Sequence, residues 1–384
     1  MRAGHEGELG MKRAGILLIA LSLFIFALLA HYRDALHLLT RIGGEESALA
    51  SFAALGRPEV VSVDLVYPDG TRGRIYRPAS GSVHARYLVL HGMHRLGIDE
   101  PRLMTLSRAL AELRLEVHTP ELEGLKDYRL GREEIERIQA RIRGLSADTG
   151  ERAELSVFAI SFAAGLALLA FEDPSLHRSV RGLFLLGPYG DLERVLRFYG
   201  GSEARGPDGE AAHLRPHPYG LEIMLRDRLD EWVDPESREA VHAILTAAMS
   251  DRFSDADALS KELGGELGAE LRALIRGEPN ARLQRIAQGL IDARTEQLAS
   301  LSLDPSRITL PDRIFILHGA EDRVIPPTES LHLEKALGPK AKVLITGAIR
   351  HAEGASASEI LDRFALLHLM RGALSGRARE SLSR

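Results

Sequence analysis

Leu155-Ser156-Val157-Phe158-Ala159-Ile160-Ser161-Phe162-Ala163-Ala164-Gly165-Leu166-Ala167-Leu168-Leu169-Ala170 holds two apolar runs with one serine at their junction. The first run has the length and the Val, Phe and Ile content of a short buried strand. The second is rich in Ala and Leu and reads as a buried helix. A serine at so abrupt a strand-to-helix turn has its hydroxyl at the carboxyl edge of a sheet, beside the free backbone amides that open a helix. Two later residues hold comparable places. Asp322 follows the strand-like Ile314-Phe315-Ile316-Leu317, and His351 follows Val343-Leu344-Ile345-Thr346. The order serine, acid, histidine, each just past an apolar run, is that of a nucleophilic hydrolase site.

Outward from that stretch, strands and helices alternate. Glu59 to Tyr67 alternates like a strand, Pro68-Asp69-Gly70 is a turn, and Arg72 to Tyr76 returns as its hairpin partner. Tyr87 to Leu90 is a short apolar strand, and helix Pro101 to Leu113, strand Leu115 to Thr119 and helix Arg132 to Leu145 follow. Strand Gly182 to Leu186 comes after the serine helix. This alternation predicts an α/β fold with a mainly parallel sheet covered on both faces, and ligand sites beyond the strands' carboxyl ends. Between about Gly190 and Thr309 the pattern changes to helices alone: Pro218 to Trp232, Pro235 to Met249, Asp255 to Arg276 and Asn280 to Leu301. Strands resume at Arg313 and Lys342, and helix Ala357 to Met370 closes the pattern. The expected organisation is a core of residues 58–190 and 311–373, with an all-helical insertion over 191–310 that caps the carboxyl edge.

These motifs resemble the α/β-hydrolase family over roughly 58–190 and 311–373. That family's nucleophile turn reads Gly-x-Ser-x-Gly; here it reads Ala159-Ile160-Ser161-Phe162-Ala163, with alanine in place of both glycines. Tyr87-Leu88-Val89-Leu90-His91-Gly92-Met93 looks like its oxyanion loop, and Leu317 to Pro326 resembles the acid loop HG-x-x-D-x-x-x-P. The resemblance implies that Ser161 is the nucleophile, that Asp322 orients His351, and that His351 is the general base. The backbone N–H groups of Met93 and Phe162 would stabilise the oxyanion. His91 reads as structural, since it precedes the nucleophile strand. His94 is placed to line a pocket or the surface, and His213, His217 and Tyr219 in the insertion read either as ligand contacts or as ordinary members of a proline-rich loop. No metal spacing and no glycine-rich phosphate loop is evident, so no cofactor is expected.

Composition narrows the partners. The chain has 384 residues, 45% of them hydrophobic, and a net charge of −5. That balance offers nothing to neutralise nucleic-acid phosphates. There is no cysteine, which removes disulfides and thiolate chemistry. Residues Ala14 to Ala30, AGILLIALSLFIFALLA, carry no charge and follow Arg2, Lys12 and Arg13. As a helix this segment spans about 25 Å, a little short of a hydrocarbon core, and His31-Tyr32 extend it at the interface. Residues 14–32 therefore read as a transmembrane anchor, with the N-terminus cytoplasmic and the catalytic domain outside; a cleaved signal peptide and a secreted or periplasmic protein is the alternative. The expected activity is hydrolysis of an ester or related acyl bond in a small-molecule or lipid substrate. An acyltransferase or thioesterase would use the same residues, and a non-catalytic binding module would keep the same fold.

Overall fold

The computed structural model describes residues 2–147, 155–347 and 357–374. Eight strands form one sheet: β1 (Val60–Val66), β2 (Arg72–Pro78), β3 (Ala85–Leu90), β4 (Leu115–Pro120), β5 (Leu155–Ile160), β6 (Gly182–Leu186), β7 (Ile314–Gly319) and β8 (Ala341–Thr346). Their order across the sheet is β1-β2-β4-β3-β5-β6-β7-β8. β2 pairs antiparallel with both β1 and β4, and every pairing from β4 to β8 is parallel. The alternation of strand and helix in the sequence is realised here, because each parallel step needs a crossover that a helix supplies.

The central strands are buried on both faces, and their period of two divides the core in half. Leu88, Leu90, Val157, Ala159, Leu183, Leu185, Ile314 and Ile316 face one layer. Tyr87, Val89, Phe158, Phe184, Phe315 and Leu317 face the other. Phe158 stacks on Phe184 with ring centroids 4.5 Å apart. The first layer packs against α4 (Arg132–Ala147), α5 (Phe162–Leu169) and α6 (Leu192–Tyr199). α1 (Arg2–Gly43), α3 (Pro101–Glu112) and α12 (Ala357–Leu374) cover the second, and α2 (Ala48–Ala54) packs on α1. Gly165 lets α5 lie close to the loop after β6, since an added Cβ there would fall 2.2 Å from the ring of Tyr189.

Between β6 and β7 the chain carries α6, α7 (Pro218–Arg226), α8 (Arg238–Ala248), α9 (Phe253–Leu263), α10 (Gly265–Ile275) and α11 (Ala281–Asp292). Three helices expected as single units are broken. Asp255 to Arg276 divides at Gly264 and Gly265, both with positive φ, which only glycine adopts readily. Pro218 to Trp232 ends α7 at Arg226 and restarts at Leu229, and Asn280 to Leu301 divides after Asp292. The segment is also not purely helical: Ala204–Arg205 pairs antiparallel with Ala211–Ala212 across a short turn. In α7, Glu222 is 3% exposed and has no hydrogen-bond or ion-pair partner among the described residues. Burial pushes its pKa up to about 8, and the Asp251 carboxylate acts in the same direction.

At the N-terminus the apolar segment and the part that docks on the domain belong to the same helix. α1 is one continuous helix of 42 residues. The side chains from Ile16 to Phe26 are exposed, whereas Ala35, Leu36, Leu38 and Thr40 are buried against the domain. The docked part is held by polar contacts as well. His37 Nε2 lies 2.7 Å from Glu112 Oε2, Arg41 donates to both oxygens of Glu112, and Arg57 donates to Asp34 at 2.7 Å.

Gly165→Ala should cost about 1–3 kcal/mol in urea unfolding, because Tyr189 is 1% exposed and has no room to yield; a wild-type midpoint would contradict this contact. Glu222 holds its proton more tightly folded than unfolded, where a glutamate titrates near 4.3. Its stabilising contribution is then complete below about pH 4 and is lost as pH rises through about 8. Thermal melts from pH 5 to 9 should show the wild type losing stability relative to Glu222→Gln as pH rises. Parallel curves would show the carboxyl to be solvated.

Candidate active site

The end of β5 is held in place from two sides. Its last residue, Ile160, is in register with Leu186 of β6, and Leu186 is in register with Leu317 of β7. The next residue, Ser161, has φ 56° and ψ −128°, a backbone conformation that side-chain-bearing residues rarely adopt. Its N–H donates to the Leu186 carbonyl at 2.6 Å, and its carbonyl accepts from Ala164 N–H at 2.8 Å in the first turn of α5. A serine at a helix start ordinarily caps it with its own hydroxyl, but the Ser161 side chain makes no capping bond. The hydroxyl stands at the carboxyl edge of the sheet with no hydrogen-bond partner among the described residues. Ala159 and Ala163, standing where the family motif has glycine, are both fully buried.

The loop after β3 comes up against this serine. A Cβ added to Gly92 would lie 3.3 Å from Ser161 Cβ, so only glycine fits the approach comfortably. The backbone N–H groups of Met93 and Phe162 have no acceptor among the described residues. The second belongs to the N-terminal turn of α5, where the helix dipole adds to its attraction for negative charge. His91 is committed to the loop itself. Its Nδ1 donates to the Gly92 carbonyl at 2.8 Å, and its Nε2 accepts from Leu122 N–H at 2.8 Å. Burial lowers its pKa, which favours this neutral form.

Asp322 lies beyond the end of β7. Its Oδ1 accepts from the N–H groups of Val324 at 2.8 Å and Ile325 at 3.1 Å, which fixes the carboxylate in a tight turn. Its Oδ2 stands 3.5 Å from His318 Nε2, but that imidazole is engaged elsewhere. His318 Nε2 donates to the Ile325 carbonyl at 2.8 Å, and Nδ1 pairs with the Ser330 hydroxyl at 2.6 Å. Gly187, with φ 60°, joins the serine and acid segments. It follows Leu186, which holds Ser161, and a Cβ on it would lie 3.4 Å from Asp322 Oδ2. The structure thus brings Ser161, the Met93 loop and Asp322 to one edge of the sheet. His351, expected five residues past the end of β8, lies outside the described residues.

Beside the Met93 loop and Phe162 is an open cavity between the core and the helical insertion. Its wall is chiefly apolar, with Leu196, Ile223 and Leu298 among its side chains, and Arg129, Asp227 and Arg228 stand among its polar members. Neither His94, His213 nor His217 lines it. His217 instead starts α7, its Nδ1 accepting from Tyr219 N–H at 3.2 Å, and its own N–H donates to the Arg323 carbonyl at 2.8 Å. Tyr219, which the sequence offered as a ligand contact or an ordinary loop residue, donates its hydroxyl to the Met93 carbonyl at 3.1 Å and so ties the insertion to the Met93 loop. Gly187 was unmarked, since a lone glycine after a strand carries no distinguishing signal.

No family profile and no curated protein matches the chain. Among solved structures it is similar to an esterase of Pyrobaculum calidifontis, at 15% identity over 90% of this chain and 91% of that one, with a TM-score of 0.41. A brefeldin A esterase, described as a bacterial homologue of human hormone-sensitive lipase, aligns at 13% identity over 91% and 86% of the two chains, with a TM-score of 0.43. A fungal esterase of Rhizomucor miehei aligns at 16% identity over 85% and 88%, with a TM-score of 0.41. At these values the assignment depends on the molecule's own geometry. From the order and direction of its eight strands, and from the strained serine where β5 turns into α5, the chain has the α/β-hydrolase fold.

Proposed function

We propose that the protein is a serine hydrolase that cleaves an ester or related acyl bond. The observation that carries this reading is the Ser161 hydroxyl, held on a strained turn, used in no cap, and followed on one side by Phe162 and approached on the other by the Met93 loop, whose backbone amides have no acceptors among the described residues. Ser161 Oγ attacks the acyl carbonyl while His351 takes its proton. The developing oxyanion is bound by the N–H groups of Met93 and Phe162. His351 then returns the proton to the leaving alcohol, and an acyl-enzyme remains. Water, deprotonated by the same imidazole, releases the acid. Asp322 holds the imidazole in the required tautomer and stabilises its charged form. The rigid turn that binds Asp322 Oδ1 leaves Oδ2 for this role.

The acyl group occupies the apolar cavity under the helical insertion, which acts as a cap, and lipid or other acyl esters are its substrates. α1 anchors the enzyme. Among the described residues, one helix, α1, is long and apolar enough to cross a membrane, and its apolar window is not buried in the domain. Basic residues ahead of the span put the N-terminus in the cytoplasm and the domain on the other side.

A fluorophosphonate probe should label the wild type and leave Ser161→Ala unlabelled; equal labelling of the two would end the proposal. Asp322→Asn should fold normally and lower kcat by about 10³–10⁴-fold. Deleting residues 1–32 should move the protein from the membrane fraction to the soluble one, and continued sedimentation with membranes would disprove anchoring by α1.

A further inference from the structure

The helical insertion meets the core at the acid loop as well as at the Met93 loop, and one residue makes the first of these contacts. Arg323, next in sequence to Asp322, donates from Nε to the Arg215 carbonyl at 2.8 Å and from Nη2 to the Pro216 carbonyl at 3.4 Å. The Arg323 carbonyl in turn accepts from His217 N–H at 2.8 Å. Neither guanidinium bond goes to a carboxylate. A planar guanidinium sets its donors at fixed angles, so two bonds to successive carbonyls fix the path of that chain.

The segment that Arg323 grips is stiff. Pro216 and Pro218 hold φ on both sides of His217, and His217 Nδ1 accepts from Tyr219 N–H to start α7. Its far end is tied as well, because the Tyr219 hydroxyl donates to the Met93 carbonyl. Residues 215–219 therefore run between the Met93 loop and the acid loop, bonded to both. Within the acid loop, Asp322 Oδ1 is held by the N–H groups of Val324 and Ile325, on the far side of residue 323. The conformation at Arg323 thus sets the direction in which Oδ2 points. The insertion holds that residue by main chain and side chain alike.

We propose that Arg323 is a positioning residue: by gripping residues 215–217 it makes the seating of the insertion a condition for the catalytic orientation of Asp322. The insertion then serves the chemical step as well as roofing the acyl cavity, and the grip of Arg323 governs rate rather than acyl binding. This rests on the reading of Asp322 as the acid of a serine hydrolase.

The test is a double-mutant cycle on the full-length enzyme in detergent, with p-nitrophenyl butyrate as substrate. Arg323→Ala should lower kcat about 10- to 100-fold, the cost of displacing a catalytic group by about an ångström, and leave KM within about 2-fold. Arg323→Lys, which keeps the charge and a donor, should recover part of the loss. In an Asp322→Asn background Arg323→Ala should cost less than about 2-fold more, because the group it positions is already disabled. Should Arg323→Ala show no cooperative melt, the same cycle with Arg323→Lys decides, its smaller loss vanishing likewise in the Asp322→Asn background. A kcat equal to wild type would overturn the inference. So would losses that add fully to that of Asp322→Asn, or a loss confined to KM, since either places the effect away from the acid. Failure of the underlying reading is distinguishable: wild type would then turn over no ester and take no fluorophosphonate label, or Asp322→Asn alone would match wild type.

Discussion

The backbone of Ser161 is the constraint around which the rest of the molecule is arranged. Left to itself, a serine at φ 56° relaxes toward an ordinary conformation, and the conformation costs on the order of 1–3 kcal/mol. It persists because the residues on either side have nowhere to go. Ile160 is locked into the parallel ladder, the Ser161 N–H is bonded to Leu186, and α5 begins at once with every residue from Phe162 to Leu169 buried. The surroundings absorb the turn by being small: Ala159 and Ala163 occupy closed spaces, and Gly92 passes within a methyl's reach of the serine. The hydroxyl is exposed to chemistry because the packing around it allows no other arrangement.

The same logic distributes the other groups along one edge. Parallel strands end together, so whatever follows β3, β5 and β7 arrives at neighbouring places whatever its distance in sequence. Ser161 and Asp322 are 161 positions apart in the chain, yet Gly187 stands between them in space. His91 and His318, which a scan for catalytic imidazoles would also find at strand ends, are spent on bonding their own loops. Chemistry and scaffolding draw on the same residue types here, and hydrogen-bond partners tell them apart.

Much of this was legible in the sequence because buried parallel strands leave a strong trace. Leu155 to Ile160, Gly182 to Leu186 and Ile314 to Leu317 are short apolar runs with flanking turns, and each is a strand in the structure. The helical insertion was legible as helical but not in its divisions. Helical periodicity continues across Gly264-Gly265 and past Asp292, and only tertiary packing decides where such a run bends. The paired residues Ala204 and Ala212 are too short a ladder to leave any pattern. The Tyr219 bond to Met93 and the place of Gly187 were hidden for a different reason. Their importance lies in what they touch, which has no periodicity. The Ala-for-Gly exchanges at 159 and 163 could be judged only once both side chains were seen enclosed.

α1 has a mechanical consequence. The helix passes without interruption from its exposed apolar turns into a docked segment fastened by Glu112 to His37 and Arg41 and by Asp34 to Arg57. A domain hung from a floppy leash tumbles freely and samples every heading. This one is welded to its mast, so whatever grips the first turns also dictates which way the body points.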